Sequence, residues 1–262
     1  MTDIVLLTQH NKATQIAPVL APLGYHVHEY HDFDTDTLGT FSGEIPRRHS
    51  PRDAALIKAR TASELSGCDY GLGSEGTFGG GPLPGLANWN EEILCLFHAP
   101  SGHTVFASAA QPVSIGTLVA DSVSALREKL AEAGEQRWMV SLDGSLKKAL
   151  TASEVLALND TQTIAWPLTL TPDFRALYCP QRQQTLAACA EDLARRLQAR
   201  CPQCGHANFV IKAQHPGLPC EQCHLPTPQI KRTVTRCDNC EYEVATTHDA
   251  FAGAFYCPHC NP

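Results

Sequence analysis

Apolar residues come in short runs at the start of the chain and at helical spacing after them. Asp3 to Thr8 is a short apolar run that reads as a buried strand. The turn Gln9-His10-Asn11-Lys12 follows, then a helix with Ile16, Val19 and Leu20 on one face, closed by Gly24. His26 to Tyr30 alternates and reads as a second strand, so the chain opens as a βαβ-like unit. A polar, turn-rich stretch spans 34–48 and carries Asp36 and Glu44. Ser50 caps the next helix, Pro51 stands at its first position, Ala55, Leu56, Ala59, Ala62 and Leu65 line its apolar face, and Gly67 ends it.

Cys68 to Leu72 is expected to be a strand, and Gly73 to Gly81 a glycine-rich loop with Glu75 in its middle. Glu92 to His98 and His103 to Ser108 flank Pro100-Ser101-Gly102 as a hairpin. A helix is read from Ser122 to Ala133, and 137–172 is mixed in pattern. From Pro180 to Arg200 a long amphipathic helix shows Leu186, Ala190, Leu193 and Leu197. The expected fold is α/β, with a mixed-sheet domain over 1–199 and a small tandem zinc-ribbon domain over 200–262.

Cysteine usage sets that boundary. Of twelve cysteines, eight lie in the last 62 residues, as the pairs Cys201/Cys204, Cys220/Cys223, Cys237/Cys240 and Cys257/Cys260. Two residues between thiolates let a knuckle turn place both on one ion, and two knuckles complete a tetrahedron. Two structural Zn²⁺ ions are therefore expected. Fifteen residues separate the first two pairs and sixteen the last two, so loop length favours sequential pairing. A cross-braced arrangement, first pair with third and second with fourth, stays open.

Net charge is −7, and from Cys201 onward four Lys or Arg face five Asp or Glu. Duplex binding depends on cation density, so nucleic acid is a disfavoured partner. The first residues lack a basic segment followed by a long apolar run, and no window approaches 18 apolar residues, so neither a signal peptide nor a membrane span is read. Abundant cysteine with no secretory signal points to a reducing, cytoplasmic setting.

Ligand-binding groups gather in the N-terminal part. Asp173, Arg175 and Arg182, before or within the long helix, read as an ion pair that anchors it or as a substrate clamp; the turn after the first strand offers Thr8, His10 and Lys12, the polar loop 34–48 Asp36 and Glu44, the capped helix Asp53 and Lys58, and the glycine stretch Ser74 and Glu75. Loops at the C-terminal ends of strands share one edge of an α/β sheet, where these groups can meet. Lysines and hydroxyls suit phosphate oxygens, and carboxylates suit Mg²⁺.

Thr8-Gln-His-Asn-Lys12, Asp53-Ala-Ala-Leu-Ile-Lys58-Ala-Arg60 and Asp69-Tyr-Gly-Leu-Gly-Ser-Glu75-Gly resemble the house-cleaning nucleoside triphosphate pyrophosphatases, which hydrolyse inosine and xanthosine triphosphates with Mg²⁺. The resemblance implies Lys12 as a phosphate ligand, Lys58 as a phosphate contact, and Asp53 and Glu75 as catalytic metal-holding acids. Gly39-Thr-Phe-Ser-Gly-Glu44, Ser74-Glu-Gly-Thr-Phe78 and Asp173-Phe-Arg175 before Pro180-Gln-Arg182 resemble an uncharacterised bacterial family in which such a domain carries C-terminal zinc knuckles. Three functions are compatible with these features. One is a Mg²⁺-dependent nucleotide hydrolase. The others are a noncatalytic sensor of a small phosphorylated ligand whose ribbons dock a protein partner, and a zinc-ribbon adaptor with a degenerate N-terminal domain.

Overall fold

The computed structural model describes residues 1–33, 48–79, 81, 88–161 and 164–262, and it separates into two compact units, Met1–Ala194 and Arg195–Pro262. Asp36, Glu44 and the Gly39–Glu44 motif lie outside the described residues. No helix among the described residues is long and apolar enough to cross a membrane.

The first unit opens with β1 (Thr2–Leu7), α1 (Ala13–Leu20), β2 (Tyr25–Tyr30), α2 (Pro51–Ser66) and β3 (Tyr70–Phe78). It continues with the long hairpin β4 (Asn88–His98) and β5 (His103–Val113). These strands form one mixed sheet in the order β2-β1-β3-β4-β5, with β1 parallel to both β2 and β3, and β4 and β5 antiparallel. The chain leaves β1 toward β2 and returns on its other side as β3. The ends of β1 and β3 therefore flank a point where strand order reverses, the usual place for a ligand crevice in an α/β sheet.

α2 forms where its caps place it. Ser50 Oγ accepts from the Asp53 amide (3.1 Å), Pro51 occupies the first turn, and Gly67 closes the helix at φ 71°. Its alanine face lies directly on β3. A Cβ on Gly71 would stand 1.9 Å from the Ala59 carbonyl oxygen, and one on Gly73 would stand 1.8 Å from that of Ala55. The expected loop from Gly73 onward is thus strand as far as Phe78, and its glycines are there for helix contact. On the same face, Cys95 joins Ala55 and Ala59 in a small core with Ile93, Phe97 and Phe106 against it.

The opposite face of β4 and β5 meets α5 (Pro180–Gln198). Cys189 Sγ contacts the Glu92 carbonyl (3.3 Å), Gln181 Oε1 accepts from the Ser114 amide (3.1 Å), and Asp192 Oδ2 accepts from the Ser108 amide (3.3 Å). Between β5 and α5 the chain builds a second sheet, ordered β6-β9-β7-β8, from β6 (Leu118–Ala120), β7 (Trp138–Leu142), β8 (Ser145–Leu150) and β9 (Leu168–Pro172). Helices α3 (Val123–Glu132) and α4 (Ala152–Thr161) accompany it. Leu126, Leu130, Trp138, Val155 and Leu170 form its separate core, which gives 137–172 its own architecture.

The second unit carries a three-stranded antiparallel sheet of β10 (Val210–Pro216), β11 (Ile230–Arg236) and β12 (Glu243–Thr247). β10 pairs with β11 so that Val210 stands opposite Arg236 and Pro216 opposite Ile230. The first and third cysteine pairs are thereby brought to one end of this hairpin. The second pair is left beyond the other end, where Cys220 bridges to Ala252 near the fourth pair.

Candidate functional site

That register decides the metal ligands. Cys201, Cys204, Cys237 and Cys240 form one group, and Cys220, Cys223, Cys257 and Cys260 the other, with all ligand atoms of each group within 4.8 Å of one another. The arrangement is cross-braced, which corrects the sequential pairing favoured by loop length: strand pairing, not chain separation, brings the knuckles together. Sulfur pairs stand 3.7 Å (Cys201–Cys240), 3.6 Å (Cys204–Cys237), 3.9 Å (Cys220–Cys260) and 3.5 Å (Cys223–Cys257) apart. A tetrahedron with metal–sulfur bonds of about 2.3 Å has an edge of about 3.8 Å, so each group fits one metal ion such as zinc.

The knuckles themselves are folded for ligation. Gly205 N–H donates to the Cys201 carbonyl (2.9 Å) and His224 N–H to that of Cys220 (3.0 Å). Gly205, His224 and Glu241, each directly after the second cysteine of a pair, all take positive φ, which reverses the chain around the sulfurs. The Gln222 and Asn239 amides point at the sulfurs of Cys220 and Cys237 (3.4 Å each), a donor arrangement that favours the thiolate form.

In the first unit, the sheet gathers most of the expected polar residues. β1 stops at Leu7 while β3 continues beside it to Phe78. The turn that follows β1 fills the space. Thr8 Oγ1 accepts from the His10 amide (3.1 Å), Asn11 takes φ 49°, and Lys12 Nζ reaches Ser74 Oγ at 3.1 Å. Ser74 and Glu75 are neighbours on a strand, so they face opposite sides of the sheet. Glu75 accepts a hydrogen bond from Lys58 Nζ of α2 at 2.5 Å.

On the Ser74 side, Gly76 stands opposite Glu92 of β4, and a Cβ there would lie 2.2 Å from Glu92 Oε1. The room is taken by an ion pair: Arg182 Nε donates to Glu92 Oε1 at 2.6 Å, with both side chains at most 1 % exposed. Asn90 Nδ2 also donates to Glu92 Oε1 (3.0 Å), and Arg182 Nη1 donates to the Phe174 carbonyl (2.8 Å). Arg182 occupies the position one turn before Leu186 on the apolar face of α5, so its burial has a sequence signature. The partnership with Glu92 does not.

Charge sets the protonation of the turn. Burial, followed by the Arg182 guanidinium, holds the Lys12 pKa down to about 7, against the pull of Glu92 and Glu75. His10 is pushed down to about 4 by burial and by Lys12, with Arg182, Arg175 and Lys58 adding to the effect, so it is neutral at pH 7. Four cations therefore act on this corner. Lys12, at 5 % exposure, donates to a neutral hydroxyl and to no carboxylate among the described residues.

Two expected residues spend their side chains on local partners. Asp53 is exposed at the start of α2, where Ser50 Oγ donates to its carboxylate (2.6 Å), so it serves the cap. Arg175 grips Asp173 through Nε (2.9 Å) and Nη2 (2.6 Å). Asp173 also accepts from the Ala149 amide (3.1 Å), which fixes the segment entering α5. Thr8, His10, Lys12, Lys58, Ser74, Glu75 and Arg182 are the expected residues that do gather, joined by Glu92 and Asn90.

The family model described as Domain of unknown function (DUF6671) matches residues 145–262, from β8 through both cysteine groups. No curated protein matches the chain. Among solved structures, the crystal structure of lipoprotein GNA1162 from Neisseria meningitidis is 15 % identical, over 50 % of this chain and 99 % of that one, with a TM-score of 0.24.

Proposed function

We propose that the first unit binds a small phosphorylated ligand at the β1/β3 crevice, and that the second unit is a structural module holding two zinc ions. One observation carries the first part: a buried lysine at the point of strand reversal, surrounded by other cations, spends its hydrogen bond on a hydroxyl. Burial and the nearby cations outweigh the pull of Glu92 and Glu75 on this ammonium, and a phosphate oxygen supplies a direct counter-charge together with acceptors for the remaining donors. The neutral imidazole of His10 and the Thr8 hydroxyl stand on the same turn and can donate to further oxygens.

Inorganic pyrophosphate and nucleoside triphosphates are the probes, each added with and without Mg²⁺ while heat stability and ³¹P spectra are followed. Stabilisation that disappears in Lys12→Met supports the reading. No response from any phosphate compound, or an equal response in the variant, overturns it.

A second reading, Mg²⁺-dependent hydrolysis, is favoured by the two buried carboxylates Glu75 and Glu92, whose charges both act on Lys12. Both are engaged by cations, so Mg²⁺ would have to enter with the substrate's phosphates, as it commonly does. Phosphate or pyrophosphate release that is lost in Glu75→Gln selects hydrolysis, and binding without turnover selects a sensor.

A further inference from the structure

The edge of the main sheet carries a third set of metal-ligand side chains, chemically unlike the cysteine groups. We infer that Asp3, His26 and His28 form a surface site for a divalent transition-metal ion. β2 is an edge strand, and His26 and His28 project from the same side of it while Val27 turns into the core. The parallel register sets Asp3 of β1 opposite His26.

The three side chains converge on one point. His28 Nε2 lies 2.8 Å and His26 Nδ1 3.4 Å from the same oxygen, Asp3 Oδ1, and the two rings stand 4.0 Å apart between centroids. All three donor atoms fall within 4.8 Å of one another. Ligands about 2.0–2.1 Å from a tetrahedral ion are about 3.3 Å apart, and the two imidazole–carboxylate separations bracket that value. A simple Asp–His hydrogen bond needs one imidazole, whereas here two are aimed at one carboxylate oxygen.

Two imidazoles and one carboxylate suit Zn²⁺, Ni²⁺ or Cu²⁺ better than Mg²⁺ or Ca²⁺, which prefer all-oxygen shells. Three protein donors leave coordination positions for water, and all three residues are exposed, so the ion exchanges with solvent while the cysteine-bound ions stay. Strands fix the spacing in advance, so little order has to be gained on binding.

The test uses the full chain with its cysteine groups already filled with zinc. Equilibrium dialysis against Ni²⁺ and metal counting are expected to show one further ion per chain. That ion is absent in His26→Ala/His28→Ala and held at least about tenfold more weakly in Asp3→Asn. With Cu²⁺, the electron paramagnetic resonance spectrum should show two equivalent-class nitrogen couplings, both lost in the double variant. The inference is overturned if the wild-type chain takes up no further ion, or if the double variant, folded by circular dichroism, still holds it.

Discussion

Lys58 of α2 and Glu75 of β3 form a buried ion pair in which the ammonium donates to the carboxylate at 2.5 Å. The acid that the sequence singles out thus has a resident cation. Removing one member of a buried ion pair costs about 3–5 kcal/mol. Lys58→Met should therefore destabilise the first unit by that amount, and Lys58→Met/Glu75→Leu should recover much of it. All three tryptophans, Trp89, Trp138 and Trp166, lie in the first unit, so denaturant titration followed by tryptophan fluorescence reads this unit separately.

Lys12 should make stability depend on pH. Unfolded, it keeps its proton to about 10.5; folded, it releases it near 7. Between those values the unfolded chain binds more protons, so stability rises with pH, and below about 7 the penalty of the buried ammonium is fully present. Lys12→Met should stabilise the first unit on the order of a few kcal/mol below that window, and progressively less across it. Phosphate binding should run the other way and weaken as pH climbs through 7. Paired stability curves and binding titrations over pH 6–10 check both.

Gly73 admits no side chain. Its missing Cβ would overlap the Ala55 carbonyl of α2, a backbone atom that cannot rotate away. Gly73→Ala is expected to lose about 3 kcal/mol or more, as overpacking at a helix–sheet contact does. Gly102→Ala, at a turn with open space around it, provides the comparison: its positive φ of 72° carries strain but no collision. Tryptophan-detected unfolding of the two variants should rank them in that order.

The cross-brace gives an arithmetic test by metal counting. In Cys201→Ser/Cys237→Ser both losses fall in one group, so one of two ions should remain; in Cys201→Ser/Cys220→Ser each group is damaged and neither should be held firmly. Sequential pairing predicts the reverse for both variants. Co²⁺ substitution, read by its thiolate absorption bands, measures the occupancy directly.

Local chemistry made some of this fold legible and long-range pairing concealed the rest. α2 could be read almost to the residue because Ser50, Pro51 and Gly67 each carry a terminus on their own. The glycines after Leu72 read as loop because composition reports permissiveness, not what a glycine makes room for. In this chain Gly71 and Gly73 admit α2, and Gly76 admits the Glu92–Arg182 pair. The gathering of Lys12 with Ser74, and of Lys58 with Glu75, followed from strand ends sharing an edge. That Ser74 and Glu75 face opposite sides follows from strand periodicity, once Gly73–Phe78 is known to be strand. Asp53 read as a ligand, but its place three residues after Ser50 is also that of a capping residue. Cysteine pairing was hidden because loop length is a weak constraint against an antiparallel register.

The interleaved cysteines have a bearing on how this module can be inherited. Each ion takes one knuckle from before β11 and one from after it, so no cut between Cys204 and Cys257 yields a fragment with two whole sites, and no cut yields one site on each side. A ribbon built from adjacent pairs can be duplicated, swapped or trimmed one ion at a time. A cut inside this one saves one site at most and always breaks the other, so it moves between genes whole or with an ion lost.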